Sequence, residues 1–110
     1  MEACMEKTSY QEVIQRIDEH LKKSGRKYYS EFYIGTSDNA AEMLFNKHFV
    51  EREGGWWIYT TAASSADAYN VKEHYIDLGM RGFKELNPKT KNVMVYCYAV
   101  TPLTAEYYER

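Results

Sequence analysis

Apolar residues recur at helical spacing near the start of the chain and at strand spacing further on, with polar breaks between. Tyr10, Val13, Ile14, Ile17 and Leu21 fall on one face of a helix, with Gln11, Gln15, Asp18, Glu19 and Lys22 opposite. Ser9 and Glu12 have capping-box spacing and Gly25 supplies a stop, so the pattern predicts a scaffold helix over about 9–24. From Lys27 to Ile34 the period is two, with Tyr28, Ser30, Phe32 and Ile34 on one face and Tyr29, Glu31 and Tyr33 on the other. Gly35 reads as the end of that strand. Asp38 or Ser37 then serves as the N-cap of a helix over 39–49, which clusters Ala40, Ala41, Leu44, Phe45 and His48 on one side.

The second half repeats the alternation. Glu51 to Gly55 is a polar loop, and Trp56 to Thr61 is an aromatic and β-branched strand. Ser64-Ser65 opens a helix over 66–78 with Ala68, Val71, Tyr75 and Leu78 as its buried stripe, and Gly79 ends it. After a polar loop from Arg81 to Lys91 that contains Pro88, both faces of 93–100 are apolar, which predicts a central strand. Thr101 and Pro102 fit the start of one helical turn. The order α-β-α-β-α-β gives an α+β fold, a small three-stranded sheet flanked by three helices, in a single domain over 1–110. Three strands leave two edges with few protective devices, so homodimerisation is expected.

The segment Tyr33-Ile34-Gly35, followed by Thr36, a capped helix and His48 near that helix's end, resembles the second half of the GIY-YIG nuclease signature. The likeness spans about 27–100 and includes Trp57-Ile58-Tyr59, an Ala-rich helix and Leu78-Gly79-Met80. It implies a GIY-YIG-like fold and, in an active member, metal-dependent phosphodiester cleavage with Mg²⁺. Tyr33, His48 and Glu73 would then be the catalytic candidates. This chain departs from the family in three places. No Gly-Ile-Tyr strand precedes Tyr33, although the strand Val95-Tyr96-Cys97-Tyr98 could fill that sheet position by permutation. The arginine expected after Gly35 is replaced by Glu42 and Met43, and no arginine appears before Arg52. At the metal-ligand position on the later helix the chain offers Lys72 or, with a shift of one residue, Glu73. Cleavage needs positive charge on the phosphoryl oxygens and a carboxylate-held metal. With Glu42 in the arginine's place, the expectation is a degenerate nuclease with no cofactor and no metal.

Composition narrows the choice of ligand. Net charge is −2, which disfavours nonspecific binding of long duplexes, since that binding draws on phosphate neutralisation. Eleven tyrosines and two tryptophans suit stacking on flat ligands or a subunit interface. Cys4 and Cys97 lack metal-ligand spacing and are expected as free thiols. His20, His48 and His74 likewise form no metal motif. No apolar run is long enough to span a membrane and MEACMEK is not a signal peptide, so a cytoplasmic protein is expected.

Basic residues flank the tyrosine-rich strand at Arg26-Lys27, and Arg81, Lys84, Lys89 and Lys91 follow the third helix. Aromatics interleaved with cations stack a base and hold a phosphate. The expected function is therefore a non-catalytic module that binds a nucleotide or short nucleic acid, as a decoy or inhibitor. Its ligand-binding set is Tyr29, Tyr33, Gly35, Thr36, Arg26, Lys27, Lys72 and Arg81, gathered at the end of the Tyr33 strand. The alternatives are an inhibitor or adaptor that binds a protein partner, and a metal-dependent endonuclease. If the ligand site is not beside Tyr33, a subunit interface built from Tyr96, Tyr98, Tyr107 and Tyr108 is the expected place for it.

Overall fold

A computed structural model describes residues 9–83 and 91–105. Cys4, Lys84, Pro88, Lys89, Tyr107 and Tyr108 therefore lie outside the described residues. Helix α1 (Tyr10–Lys22) begins with the expected capping box between Ser9 and Glu12. Strands β1 (Phe32–Ser37), β2 (Trp57–Thr61) and β3 (Met94–Ala99) form one antiparallel sheet in the order β1-β3-β2. Helix α2 (Ser65–Leu78) is capped by the Ser64 hydroxyl and ends at Gly79, whose φ of 122° suits glycine.

The apolar faces of β3 put it at the sheet's centre. Val95 and Cys97 join Phe32, Ile34 and the α1 and α2 stripes in one core. Tyr96 and Tyr98 join Tyr33, Ala40 and Leu44 in a second core on the opposite face. The alternation of β3 thus separates two hydrophobic layers.

Several expectations are corrected. Tyr29–Glu31 is a 3₁₀ turn, so the strand starts at Phe32 and not Lys27. Gly35 lies inside β1 and does not end it. The second helical segment is π-helical over Glu42–Lys47, and its first turn is capped by Asn39, whose Oδ1 accepts the Glu42 N–H at 3.1 Å. Ser37 caps Asn39 in turn, its Oγ accepting the Asn39 N–H at 2.9 Å. Leu78 is exposed, because the buried stripe of α2 closes with Tyr75 and takes in Lys72 instead.

The outer edge of β1 is covered. Arg81 donates its N–H to the Phe32 carbonyl at 3.0 Å, and its own carbonyl accepts from Ile34 N–H at 2.9 Å. Gly82 permits this approach, since a Cβ there would lie 2.8 Å from the Ile34 carbonyl oxygen. One of the two edges is therefore protected by a backbone strap, contrary to the expectation from sequence. No helix among the described residues is long and apolar enough to cross a membrane.

Candidate functional site

The residues expected to form one site occupy three places. Tyr33 and Gly35 are interior. Tyr33 is 3% exposed, and its ring lies 4.9 Å from His48, 5.4 Å from Tyr98 and 6.4 Å from Tyr96 between centroids. His48, itself fully buried, anchors this cluster. The Ala105 carbonyl can only accept, so Nδ1 carries the proton and donates to it. Nε2 then accepts from the Tyr96 hydroxyl at 3.0 Å. Tyr98 Oη lies 2.9 Å from the same Nδ1. The Ala105 N–H returns a bond to the His48 carbonyl at 2.9 Å, so His48 ties the chain after β3 to the π-helical segment.

Strand β3 lies beside Tyr33: Tyr98 is its direct partner across the ladder, and Tyr96 faces Gly35. Glu73 is not part of that group. It sits on α2, whose packing face lies against the other side of the sheet, and it lines a depression with Tyr10, Asn70 and His74. Lys72 is 2% exposed and donates from Nζ to the Phe83 carbonyl at 2.9 Å, so it is the residue that α2 turns toward the strap beside β1. Thr36 is half-buried in β1. Among the described residues, no group of three or more His, Cys, Asp and Glu side chains is placed to hold a metal ion.

The third place is open to solvent. Arg26, Lys27 and Tyr29 line a cleft of about 410 Å³ together with Lys22, Tyr28 and Phe32. It lies between the end of α1 and the 3₁₀ turn, where Gly25, at φ 79°, lets the chain reverse. Tyr29 packs against Tyr75 of α2 at 6.3 Å, on the sheet face opposite Tyr33, so the two tyrosines do not share a surface. Tyr28, which also lines the cleft, is 67% exposed.

The charge of this cleft favours an anion. Lys22, Arg26 and Lys27 are set against a single lining carboxylate, Asp18. That carboxylate accepts the Tyr75 hydroxyl at 2.6 Å, and burial followed by this bond raises the Tyr75 pKa, keeping the phenol protonated. Glu31 organises the basic wall. It accepts the Tyr28 N–H at 3.2 Å and the Lys27 N–H at 3.3 Å, and it pairs with Arg26 at 3.4 Å. These donors, the Tyr28 amide first, hold its carboxyl below the ordinary value. Arg81 lies next to this wall, with Nε donating to the Ser30 carbonyl at 3.0 Å.

Lys22, Tyr28 and Glu31 were not singled out from the sequence. Lys22 reads as the polar face of a helix, and Tyr28 and Glu31 read as strand alternation. The available signal was Arg26-Lys27 preceding a carboxylate at turn spacing. Compared with known proteins, the chain matches no family model, no curated protein and no solved structure.

Proposed function

We propose that the chain is a non-catalytic binding module on a GIY-YIG-like scaffold, holding a nucleotide or short single-stranded nucleic acid in the cleft between α1 and the 3₁₀ turn. The observation that carries this reading is the cleft's lining, which combines Lys22, Arg26 and Lys27 with Tyr28 and Tyr29. Cations meet phosphate while a ring face takes a base, and the pairing tolerates sequence because every base has a π-face. A pocket of this size suits one or two nucleotides, in keeping with a net charge of −2 that does not favour long duplexes.

Two features support the non-catalytic part. The Tyr33 side chain is enclosed by aromatic rings, and Glu73 lies across the sheet from it. Glu42, in the arginine's place, accepts from Asn46 at 2.9 Å and would repel a phosphate. The test is fluorescence anisotropy with a labelled trinucleotide and with a labelled nucleoside triphosphate at low salt. Saturable binding is expected, with a log–log salt slope no steeper than about two, roughly 0.7 for each of the three cleft cations. Metal-dependent cleavage of the trinucleotide that vanishes in Tyr33→Phe would overturn the reading.

A further inference from the structure

The two sheet edges differ. On β1 the outward backbone groups of Phe32 and Ile34 are engaged by Arg81. On β2 the hydrogen bonds between Ala99 and Trp56 and between Ala62 and Val93 fix the phase of the ladder, so the amides and carbonyls of Trp57, Tyr59 and Thr61 point outward. His20 takes one of these groups, donating from Nε2 to the Trp57 carbonyl at 3.0 Å. Those of Tyr59 and Thr61 meet no strand among the described residues. The stretch Trp56 to Ala66 contains no charge and no proline, the usual devices that keep an edge from pairing.

We propose that this edge docks an extended acidic peptide, which adds to the sheet beside β2. The groove along the edge, about 560 Å³, is lined by His20, Arg52, Trp56, Trp57 and Tyr59 among others, and none of its lining residues is acidic. On one face of the sheet, Arg52 lies 3.8 Å over the Phe45 ring, Phe45 meets Trp57 edge-on, and Trp57 stacks with the exposed Tyr59. On the other face, Arg16 donates to the Thr60 hydroxyl at 3.1 Å and His20 reaches the edge. An added strand alternates its side chains between these faces. A residue opposite Tyr59 meets the aromatic stack beside Arg52, and its neighbours meet Arg16 and His20. Main-chain bonds to Tyr59 and Thr61 supply affinity, and the two arginines select carboxylates. A second copy of this chain fits less well, because antiparallel pairing would bring the same cations of both copies together.

The experiment is amide hydrogen exchange with a short peptide alternating glutamate and valine, and with its lysine–valine counterpart. The Tyr59 and Thr61 amides exchange rapidly in the free protein and become protected with the glutamate peptide alone. Thr61→Pro, which deletes one outward N–H, weakens binding roughly tenfold, the size of one main-chain bond. Arg52→Glu, on an exposed side chain, weakens it independently of any backbone effect. Equal protection by both peptides, or unchanged affinity in Arg52→Glu with the fold intact, overturns the proposal. Protection that grows with protein concentration in the absence of peptide assigns the edge to a second copy and also overturns it.

Discussion

Tyr96 lies across the ladder from Gly35, and its ring occupies the space where a side chain on Gly35 would stand. A Cβ at Gly35 would sit 2.5 Å from Tyr96 Oη and 2.6 Å from the adjoining ring carbon. The glycine is therefore required by a cross-strand tyrosine and not by a turn. Gly35→Ala should cost on the order of 1–3 kcal/mol in denaturant unfolding, the usual range for overpacking a filled core. Tyr96→Phe should not rescue it, because the ring carbon remains. A loss below about 0.5 kcal/mol would show that the ring yields readily.

His48 carries the second prediction. It bonds Tyr96 through Nε2 and the Ala105 carbonyl through Nδ1, and it is fully buried. His48→Phe fills similar space but removes both bonds, leaving buried polar groups unmet. The expected cost is about 2–4 kcal/mol, with the Ala105 amide losing exchange protection. Retained protection at Ala105 would mean that the chain after β3 is held by other contacts.

The third prediction concerns pH. The Glu31 carboxyl is held below its reference value of 4.5, chiefly by the Tyr28 N–H. A depressed carboxyl contributes stability above its unfolded pKa and loses it as pH falls through the folded value. The wild type should therefore lose thermal stability on acidification below the ordinary carboxylate range. Glu31→Gln should start less stable at neutral pH and lose less on acidification. Parallel curves for the two proteins would contradict the role given to Glu31.

The architecture was largely legible in the sequence because its signals are local. The Ser9–Glu12 box, the Ser64 cap, Gly79 and the two-faced pattern at 93–100 each act within a few residues. They yielded both long helices and the central position of β3. The site was less legible because its determinants are distant pairings. Gly35 followed by Thr36 and Ser37 reads as a stop, and only its partner Tyr96 shows otherwise. The Arg81 strap on β1 had no counterpart in the pattern, since a single backbone bridge leaves no periodicity. Tyr29 and Tyr33 alternate correctly for a strand, yet the 3₁₀ turn puts them on opposite sides. Of the residues singled out from sequence, Arg26 and Lys27 line the solvent-open cleft, whereas Gly35 and Tyr33 are interior.

The most direct measurement compares Lys27→Glu combined with Tyr28→Ala against Tyr33→Phe in anisotropy titrations with the same labelled trinucleotide. Lys27 and Tyr28 are exposed and their backbone bonds to Glu31 survive substitution, so the fold should persist. The cleft variant should lose at least about 2 kcal/mol of binding, a charge reversal plus a lost stacking face, while Tyr33→Phe binds as the wild type does. Undiminished binding by the cleft variant, with loss in Tyr33→Phe, would contradict the account and return the site to the strand of Tyr33-Ile34-Gly35.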